Sequence, residues 1–368
     1  MKLRVVFHTP SLRGGGAERV FALMANAMAA RGHQVTLFTW NADGPNLALL
    51  SDQVQLVSLD MPIRGEGFGK AATLRGIWKS ARYFRRTKPD AVFSAPEFAN
   101  LTTALALVLS RSRARFFPTY HAANSLPSSN LGARIAIALS RIVAQRATRA
   151  VAVSAGVGRD LVARGLPASK IAVVHNPLPP AQPAKRDYPW HAAAQAMGDG
   201  PLIVTAGRLV QVKDHKTLLD AFARLASRRP ARLAIFGEGP LESELRAYAD
   251  QLGVSKRVLF PGYVNEPAAI YQAADLFVLT STSEGFGNVL IEAMAHGVAV
   301  VSTNAPHGPR EILADGRYGA LVPVGDADAL AAAIAETLDR PPPRELLMSR
   351  ASDFSVETIA AQYEALLR

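Results

Sequence analysis

No cysteine occurs in the 368 residues, which excludes disulfides and thiolate chemistry and is compatible with the cytosol. No apolar run approaches the roughly 20 residues that span a bilayer. No apolar stretch follows the charged start MKLRVVFHT, which reads as a first strand and not as a signal peptide. The G-x-G-x-x-G fingerprint is missing. No acidic residue stands at ribose distance after the second strand, where Phe38-Thr39-Trp40 precedes Asp43, so a nicotinamide dehydrogenase is poorly supported. A D-x-D spacing does occur at Asp326 and Asp328, but it follows the last strand and reads as a helix cap. No internal repeat, no low-complexity tract beyond Ala-rich helices and no DNA- or RNA-binding motif is found, so nucleic acid is not an expected partner.

What is present suits two cores. Hydrophobic residues make up 49% of the chain, whose length is too great for one ordinary core. Charge divides unevenly. Residues 1–190 hold 25 Lys and Arg against 9 Asp and Glu, and the remainder holds 16 against 21. A strongly basic half and a mildly acidic half point to two domains with different partners.

Apolar strands alternate with helical patterns. In the first half the strands are expected at Leu3–Thr9, Gln34–Trp40, Val54–Asp60, Ala91–Ala95, Arg115–His121, Ala150–Ser154 and Ile171–Asn176. Helices are expected between them, as at Ala17–Arg31 and Leu131–Arg149. The proline-rich Asn176–Pro189 reads as a linker. The second half has strands at Leu202–Gly207, Ala231–Gly237, Val258–Tyr263, Asp275–Thr280, Ala299–Thr303 and Ala320–Pro323. Continuous apolar strands alternating with helices mean mostly parallel sheets covered on both faces. Such sheets take ligands at the carboxyl ends of their strands.

Three turns at those ends carry candidate chemistry. In EGFGNVLIE, Glu284 precedes a helix that starts near Asn288, and Glu292 lies within it. Gly285 and Gly287 allow positive φ and close approach of backbone to a ligand, and the helix start favours an anion. The two carboxylates are at most about 12 Å apart along the axis, which suits one elongated ligand with a diphosphate between its ends. The plainer alternative is a helix cap and a surface glutamate. After the strand LIVTAG come Arg208 and Lys213, two cations able to neutralise a diphosphate or simply to sit solvated on a loop. Gly14, Gly15 and Gly16 open the first helix, either as a phosphate-approaching turn or as a flexible loop.

GGGAERV, TAGRLVQVKDHKTLLDAF, IFGEGPLESEL, VLFPGYV, EGFGNVLIEAMAHGVAVVST and GPREILADGRYGALVP together resemble the retaining family 4 glycosyltransferases of GT-B fold. The resemblance runs in order along nearly the whole chain and is densest from Leu202 to Pro323. It implies two Rossmann-like domains facing across a cleft: residues 1–180 for the acceptor and 190–350 for a nucleotide sugar. A last helix at about 356–367 packs back on the first domain. Arg208 and Lys213 match the pair that holds the donor phosphates. Glu284 matches the glutamate on the donor sugar hydroxyls, and Phe286, Gly287 and Asn288 match the backbone around the phosphates. Glu292 matches the ribose-binding glutamate, while Tyr263 and Val264 lie in the segment beside the nucleobase. Gly15 and Gly16 match the loop beside the diphosphate and acceptor. His121 is similar to a strand-end histidine near the transferred sugar, with a purely structural role as the alternative.

The chemistry agrees with that resemblance. Breaking a sugar–phosphate bond puts negative charge on the departing diphosphate, which Arg208, Lys213 and a helix start would stabilise as it develops. No cofactor and no metal is expected; the nucleotide sugar, UDP-linked or alternatively GDP-linked, is a co-substrate. The expected reaction adds a hexose or N-acetylhexosamine to a lipid-linked or polysaccharide acceptor at the cytoplasmic face of the inner membrane. Alternatives are an epimerase or hydrolase of nucleotide sugars and a non-catalytic nucleotide-binding scaffold. Arg75, Lys79, Arg82 and Arg86 follow helical spacing opposite Ile77, Ala81 and Phe84, and Arg134, Arg141 and Arg149 form a second stripe. Such basic faces fit an anionic membrane surface or else are merely solvated. Trp78, Tyr83 and Phe84 are expected to pack. Ser154 is expected to cap the next helix, and His296-Gly297 to close one.

Overall fold

The computed structural model describes residues 2–13, 16–63, 68–122, 140–178, 184 and 188–368. Gly14, Gly15, Arg134 and most of the proline-rich stretch lie outside these residues. The chain divides into two compact units, Met1–Pro177 with Val356–Arg368, and Leu178–Ser355.

The first unit is built on strands β1 (Arg4–Thr9), β2 (Gln34–Thr39), β3 (Gln55–Ser58), β4 (Ala91–Ser94), β5 (Arg115–Tyr120), β6 (Ala150–Ala152) and β7 (Ile171–Val173). Their order across the sheet is β3-β2-β1-β4-β5-β6-β7, with parallel pairing throughout. The second unit has β8 (Leu202–Ala206), β9 (Arg232–Phe236), β10 (Val258–Gly262), β11 (Leu276–Leu279), β12 (Ala299–Thr303) and β13 (Ala320–Val322). These are ordered β10-β9-β8-β11-β12-β13, again parallel. Each expected strand forms. Most are shorter by one to three residues, because ladder pairing stops where the chain turns into the βα loops.

Both orders reverse direction once, at β1/β4 and at β8/β11. The crevice outside the strand carboxyl ends at such a reversal is where doubly wound sheets bind ligands. The strands are apolar on both faces because helices cover both; β4, β11 and β12 are buried at every residue. On one face of the first sheet, Phe7 stacks on Phe93 at 5.1 Å, and Tyr363 of the Val356–Ala365 helix approaches Phe93 at the same centroid distance. Ile359, Ala360 and Tyr363 of that helix belong to this core. The other face buries Phe38, Trp40, Ile77 and Phe84.

The helix Lys70–Thr87 contains no acidic residue. Ile77, Ala81 and Phe84 are buried as expected, and Arg75, Arg82 and Arg86 are exposed. Two details differ from expectation. Lys79 leaves the basic stripe, its Nζ donating to the Leu59 carbonyl at 3.4 Å. Trp78 does not pack, being 60% exposed with the Arg82 guanidinium 5.9 Å from its ring centre. It lies on the outward side of the helix next to the arginine row, as does Leu74 one turn earlier, so the buried stripe passes it by. Of the second basic stripe, Arg141 and Arg149 are among the described residues. Among the described residues no helix is long and apolar enough to cross a membrane.

Candidate functional site

Two loops meet beside the β8/β11 reversal. Gly207 and Arg208 leave the end of β8, and a short turn at Gln211–Lys213 leads to Asp214. Asp214 caps the next helix from a left-handed conformation, its carboxylate accepting from the Thr217 hydroxyl at 2.7 Å. This loop is tied to the end of β11: Thr280 Oγ1 donates to the Lys213 carbonyl at 2.8 Å, and the Thr282 N–H to that of Val212 at 2.8 Å. The Lys213 side chain runs over Gly207, where an added Cβ would lie 3.5 Å from Lys213 Cε.

The position of Lys213 brings it onto Glu284. Its Nζ stands 2.5 Å from Glu284 Oε1, and the Ser281 hydroxyl donates to the same oxygen at 2.6 Å. Ser281 is itself anchored, its carbonyl accepting from Thr303 Oγ1 at 2.7 Å. The Glu284 side chain is only 12% exposed, so this ion pair is shielded from bulk water. Both donors take Oε1, which makes Oε2 the oxygen available to a ligand.

The bend then enters the Asn288–Ala295 helix. Gly287 takes φ 102° and ψ 48°, a left-handed conformation natural to glycine, whereas Gly285 does not have positive φ. No side chain caps this helix start, where the dipole favours an anion. Phe286 is buried, its ring against Phe354 at 5.5 Å. The bend is held from behind by Gly308, which sits so close that a Cβ would lie 1.9 Å from the Phe286 carbonyl oxygen.

Next to these loops lies a cavity of about 480 Å³ lined by Gly207, Arg208, Tyr263, Val264, Tyr271, Val289 and Glu292. Tyr263 is 68% exposed and Val264 is buried. Glu292 Oε2 accepts from the buried Tyr271 hydroxyl at 2.9 Å, and His296 Nδ1 lies 2.9 Å from the Glu292 carbonyl. The lining thus carries both an oriented carboxylate, Glu292, and a guanidinium, Arg208. His215, after Lys213 and Asp214, is pushed down to about pKa 4, mainly by burial and further by the Lys213 charge. It is therefore neutral near pH 7, leaving Arg208 and Lys213 as the cations.

The structure thus gathers Arg208, Lys213, Tyr263, Val264, Glu284, Phe286, Gly287, Asn288 and Glu292 at one edge of the second sheet. The remaining candidates belong to the first unit. Gly16 is the first residue of the Gly16–Ala30 helix after β1, and Gly15 lies outside the described residues. His121 follows β5, with both ring nitrogens buried and Phe21 edge-on at 6.2 Å. Burial pushes it down to about pKa 4, only partly opposed by the nearby Asn176 side chain; neither ring nitrogen makes a full hydrogen bond among the described residues. His121 is a neutral imidazole near pH 7. Ser281 and Tyr271 were not singled out by sequence reasoning. Nothing in TSTSEG marks one hydroxyl over its neighbours, and the tyrosine and its glutamate are 21 residues apart. The expected caps form: Ser154 Oγ accepts from the Val157 N–H at 3.1 Å, Asp326 Oδ1 from that of Ala329 at 2.9 Å, and His296-Gly297 closes its helix.

Two family models match consecutive parts of the chain: Glycosyltransferase Family 4 over residues 14–182, and Glycosyl transferases group 1 over residues 189–353. The chain belongs to the family 4 glycosyltransferases. The boundary between the matches falls close to the division between the two units. The lipopolysaccharide core biosynthesis glycosyltransferase LpsE of Rhizobium meliloti is 29% identical over 96% of this chain and 96% of its own length. A shorter match, 38% identical over 35% of this chain and 34% of the other, is to a Campylobacter jejuni enzyme. Its name is N-acetylgalactosamine-N,N'-diacetylbacillosaminyl-diphospho-undecaprenol 4-alpha-N-acetylgalactosaminyltransferase. Among solved structures, HepE of Anabaena in complex with UDP and glucose superposes with a TM-score of 0.79, 23% identity and 99% coverage of both chains. The fold is GT-B, with a Rossmann-like sheet in each unit, and the chain is a glycosyltransferase.

Proposed function

We propose that the second unit binds a UDP-sugar at the β8/β11 edge, and that the enzyme moves its hexose or N-acetylhexosamine, with retention of configuration, to a lipid-linked or polysaccharide acceptor. The observation that carries this reading is the convergence of Lys213, Ser281 and Glu284 beside Arg208 and the cavity holding Glu292. In it, Arg208, Lys213 and the Asn288 helix start hold the diphosphate and stabilise its charge as the glycosidic bond breaks. Phe286 and Gly287 bring backbone close to the phosphates. Glu284 orients the sugar hydroxyls through Oε2, and Glu292 receives the ribose hydroxyls. Tyr263 and Val264 flank the base. The first unit takes the acceptor, with Gly15 and Gly16 assigned to the donor diphosphate and the acceptor, and His121 to the transferred sugar.

This reaction requires no resident metal or other cofactor, because Arg208 and Lys213 supply the positive charge the leaving group needs. UDP is favoured by its presence in the similar HepE structure. The acceptor class is favoured by the names of the Rhizobium and Campylobacter relatives. A lipid-linked acceptor places the enzyme at the cytoplasmic face of the inner membrane. Exposed Leu74 and Trp78 among Arg75, Arg82 and Arg86 supply a face for anionic lipid. Nucleic acid has no role.

Incubating the purified chain with UDP-sugars and GDP-sugars tests this reading. UDP and one UDP-sugar should raise the thermal unfolding midpoint, since ligand bound to the folded state stabilises it. Product NMR should show the anomeric configuration of the donor retained, and product should need acceptor. Turnover without acceptor would indicate an epimerase or hydrolase, and absence of any nucleotide response would sink the assignment.

Tyr271→Phe gives a sharper test of the cavity. Losing the hydroxyl releases Glu292 from its orienting bond. Donor KM should rise about fivefold to tenfold, with kcat nearly unchanged. The ratio of UDP to 2′-deoxy-UDP affinity should fall with it. An unchanged ratio would show that Glu292 does not read the ribose.

A further inference from the structure

At the amino ends of β1, β4 and β5 the first unit carries a second cavity, of about 650 Å³. This is the edge of the sheet opposite to the strand carboxyl ends, so it is separate from the acceptor end of the same unit. Its lining includes Arg4, Arg85, Lys88, Arg111, Arg113 and Arg115, against a single carboxylate, Asp90. Part of this charge has local work. Arg4 pairs with Asp90 at 3.4 Å and donates to the Thr87 carbonyl at 3.0 Å. Arg85 donates to the Leu109 carbonyl at 3.1 Å, and Arg115 to that of Leu367. These bonds satisfy chain ends, two of them the last carbonyls of the helices Lys70–Thr87 and Glu97–Leu109.

Lys88, Arg111 and Arg113 are not used in that way. All three are exposed, and among the described residues none has an acidic partner or a side-chain hydrogen bond. Lys88 and Arg111 also hold left-handed backbone, φ 46° and 53°, just beyond the two helix ends. Left-handed backbone is unfavourable for a residue with a Cβ, and glycine is the usual occupant of such a position. Among the described residues, five other helices close on a glycine with positive φ: Gly32, Gly165, Gly198, Gly253 and Gly297. The two helices that end at this cavity instead carry cations there.

We propose that this cavity is a binding site for a multiply charged phosphate group, a diphosphate or a phosphomonoester. Lys88, Arg111 and Arg113 grip it, and Arg85 and Arg115 lie behind them. Several cations around one small volume favour a polyanion over a monoanion, and the planar guanidinium matches phosphate oxygens two at a time. The group can arrive free in solution or on the headgroup of an anionic lipid, and both sources present the same chemistry. The site does not depend on the donor assignment.

Lys88→Gly/Arg111→Gly provides the test, because glycine suits both backbone positions while both charges go. The double variant should fold with an unfolding midpoint at or above that of the parent. With UDP present to occupy the donor phosphate site, inorganic pyrophosphate is titrated calorimetrically into both proteins. The parent should bind and the double variant should bind about tenfold more weakly or not at all, with UDP affinity the same in both. In a second arm, both proteins are sedimented with phosphatidylcholine vesicles with and without phosphatidic acid. Selective loss of sedimentation in the double variant, without a pyrophosphate response in the parent, would assign the site to a lipid headgroup. Parent and variant behaving alike in both arms would overturn the proposal. A failure of UDP to bind would bear on the donor reading alone.

Discussion

Lys213→Ala is expected to lower kcat/KM for the sugar donor by about 10²–10³-fold, the loss seen when one preorganised charge-stabilising group leaves an active site. Two effects add. The diphosphate loses a cation at the moment its charge develops. Glu284, 12% exposed, also loses the partner 2.5 Å away and keeps only the Ser281 hydroxyl on Oε1. A buried carboxylate that loses its ion pair is destabilised, so the Glu284 oxygen proposed to bind the sugar should shift in addition to the loss of the cation proposed to hold the phosphates. Lys213→Arg keeps the charge but changes its shape and should recover only part of the activity. Combining Lys213→Ala with Glu284→Gln should cost less than the sum of the single losses, because the second change removes the orphaned charge. Steady-state kinetics on the parent, Lys213→Ala, Lys213→Arg, Glu284→Gln and the double variant measures this. A loss below about threefold for Lys213→Ala would mean that the diphosphate binds elsewhere.

Gly308→Ala should be the most damaging single-methyl change near the site. Its φ of 117° is one that L side chains rarely adopt. The added carbon would also lie 1.9 Å from the Phe286 carbonyl oxygen, a backbone atom that no rotamer change can clear. Left-handed strain of about 1–2 kcal/mol and an overpacking cost of about 1–3 kcal/mol act together. The unfolding midpoint should fall by roughly 10 °C for a unit of this size. Whatever relief occurs must come from moving Phe286, so UDP affinity should fall in the same variant. Circular dichroism melts and calorimetry read the two effects. A variant with wild-type melting would show that the loop relaxes freely and that Gly308 does not hold the bend.

The fold was readable because parallel strands buried on both faces are written as unbroken apolar runs, and each of the thirteen was found near its expected place. Apolar runs carry no record of which strand lies beside which; the reversals at β1/β4 and β8/β11 emerge only from pairing. Glycine and charge marked the loops that gather at the second sheet. What could not be read is how their side chains meet. Lys213 and Glu284 are 71 residues apart, and their pairing depends on Thr280 and Thr282 stitching one loop to the other. Tyr271 reads as an ordinary helix aromatic until its hydroxyl is seen on Glu292. Trp78 was expected inside because indoles usually pack, yet the helix turns it outward beside Arg82. The Lys and Arg excess of residues 1–190 signals charge but not this cavity, whose Arg4, Lys88 and Arg111 come from three separate βα segments.

The helix Val356–Ala365 seals the first core with Ile359 and Tyr363, although more than 170 residues of the other unit separate it from Pro177. On a translating ribosome the first sheet therefore waits for a helix made only after the whole of the other unit. The later-made unit has all its own strands in hand first, and the earlier one stays open along one flank until Val356–Ala365 emerges.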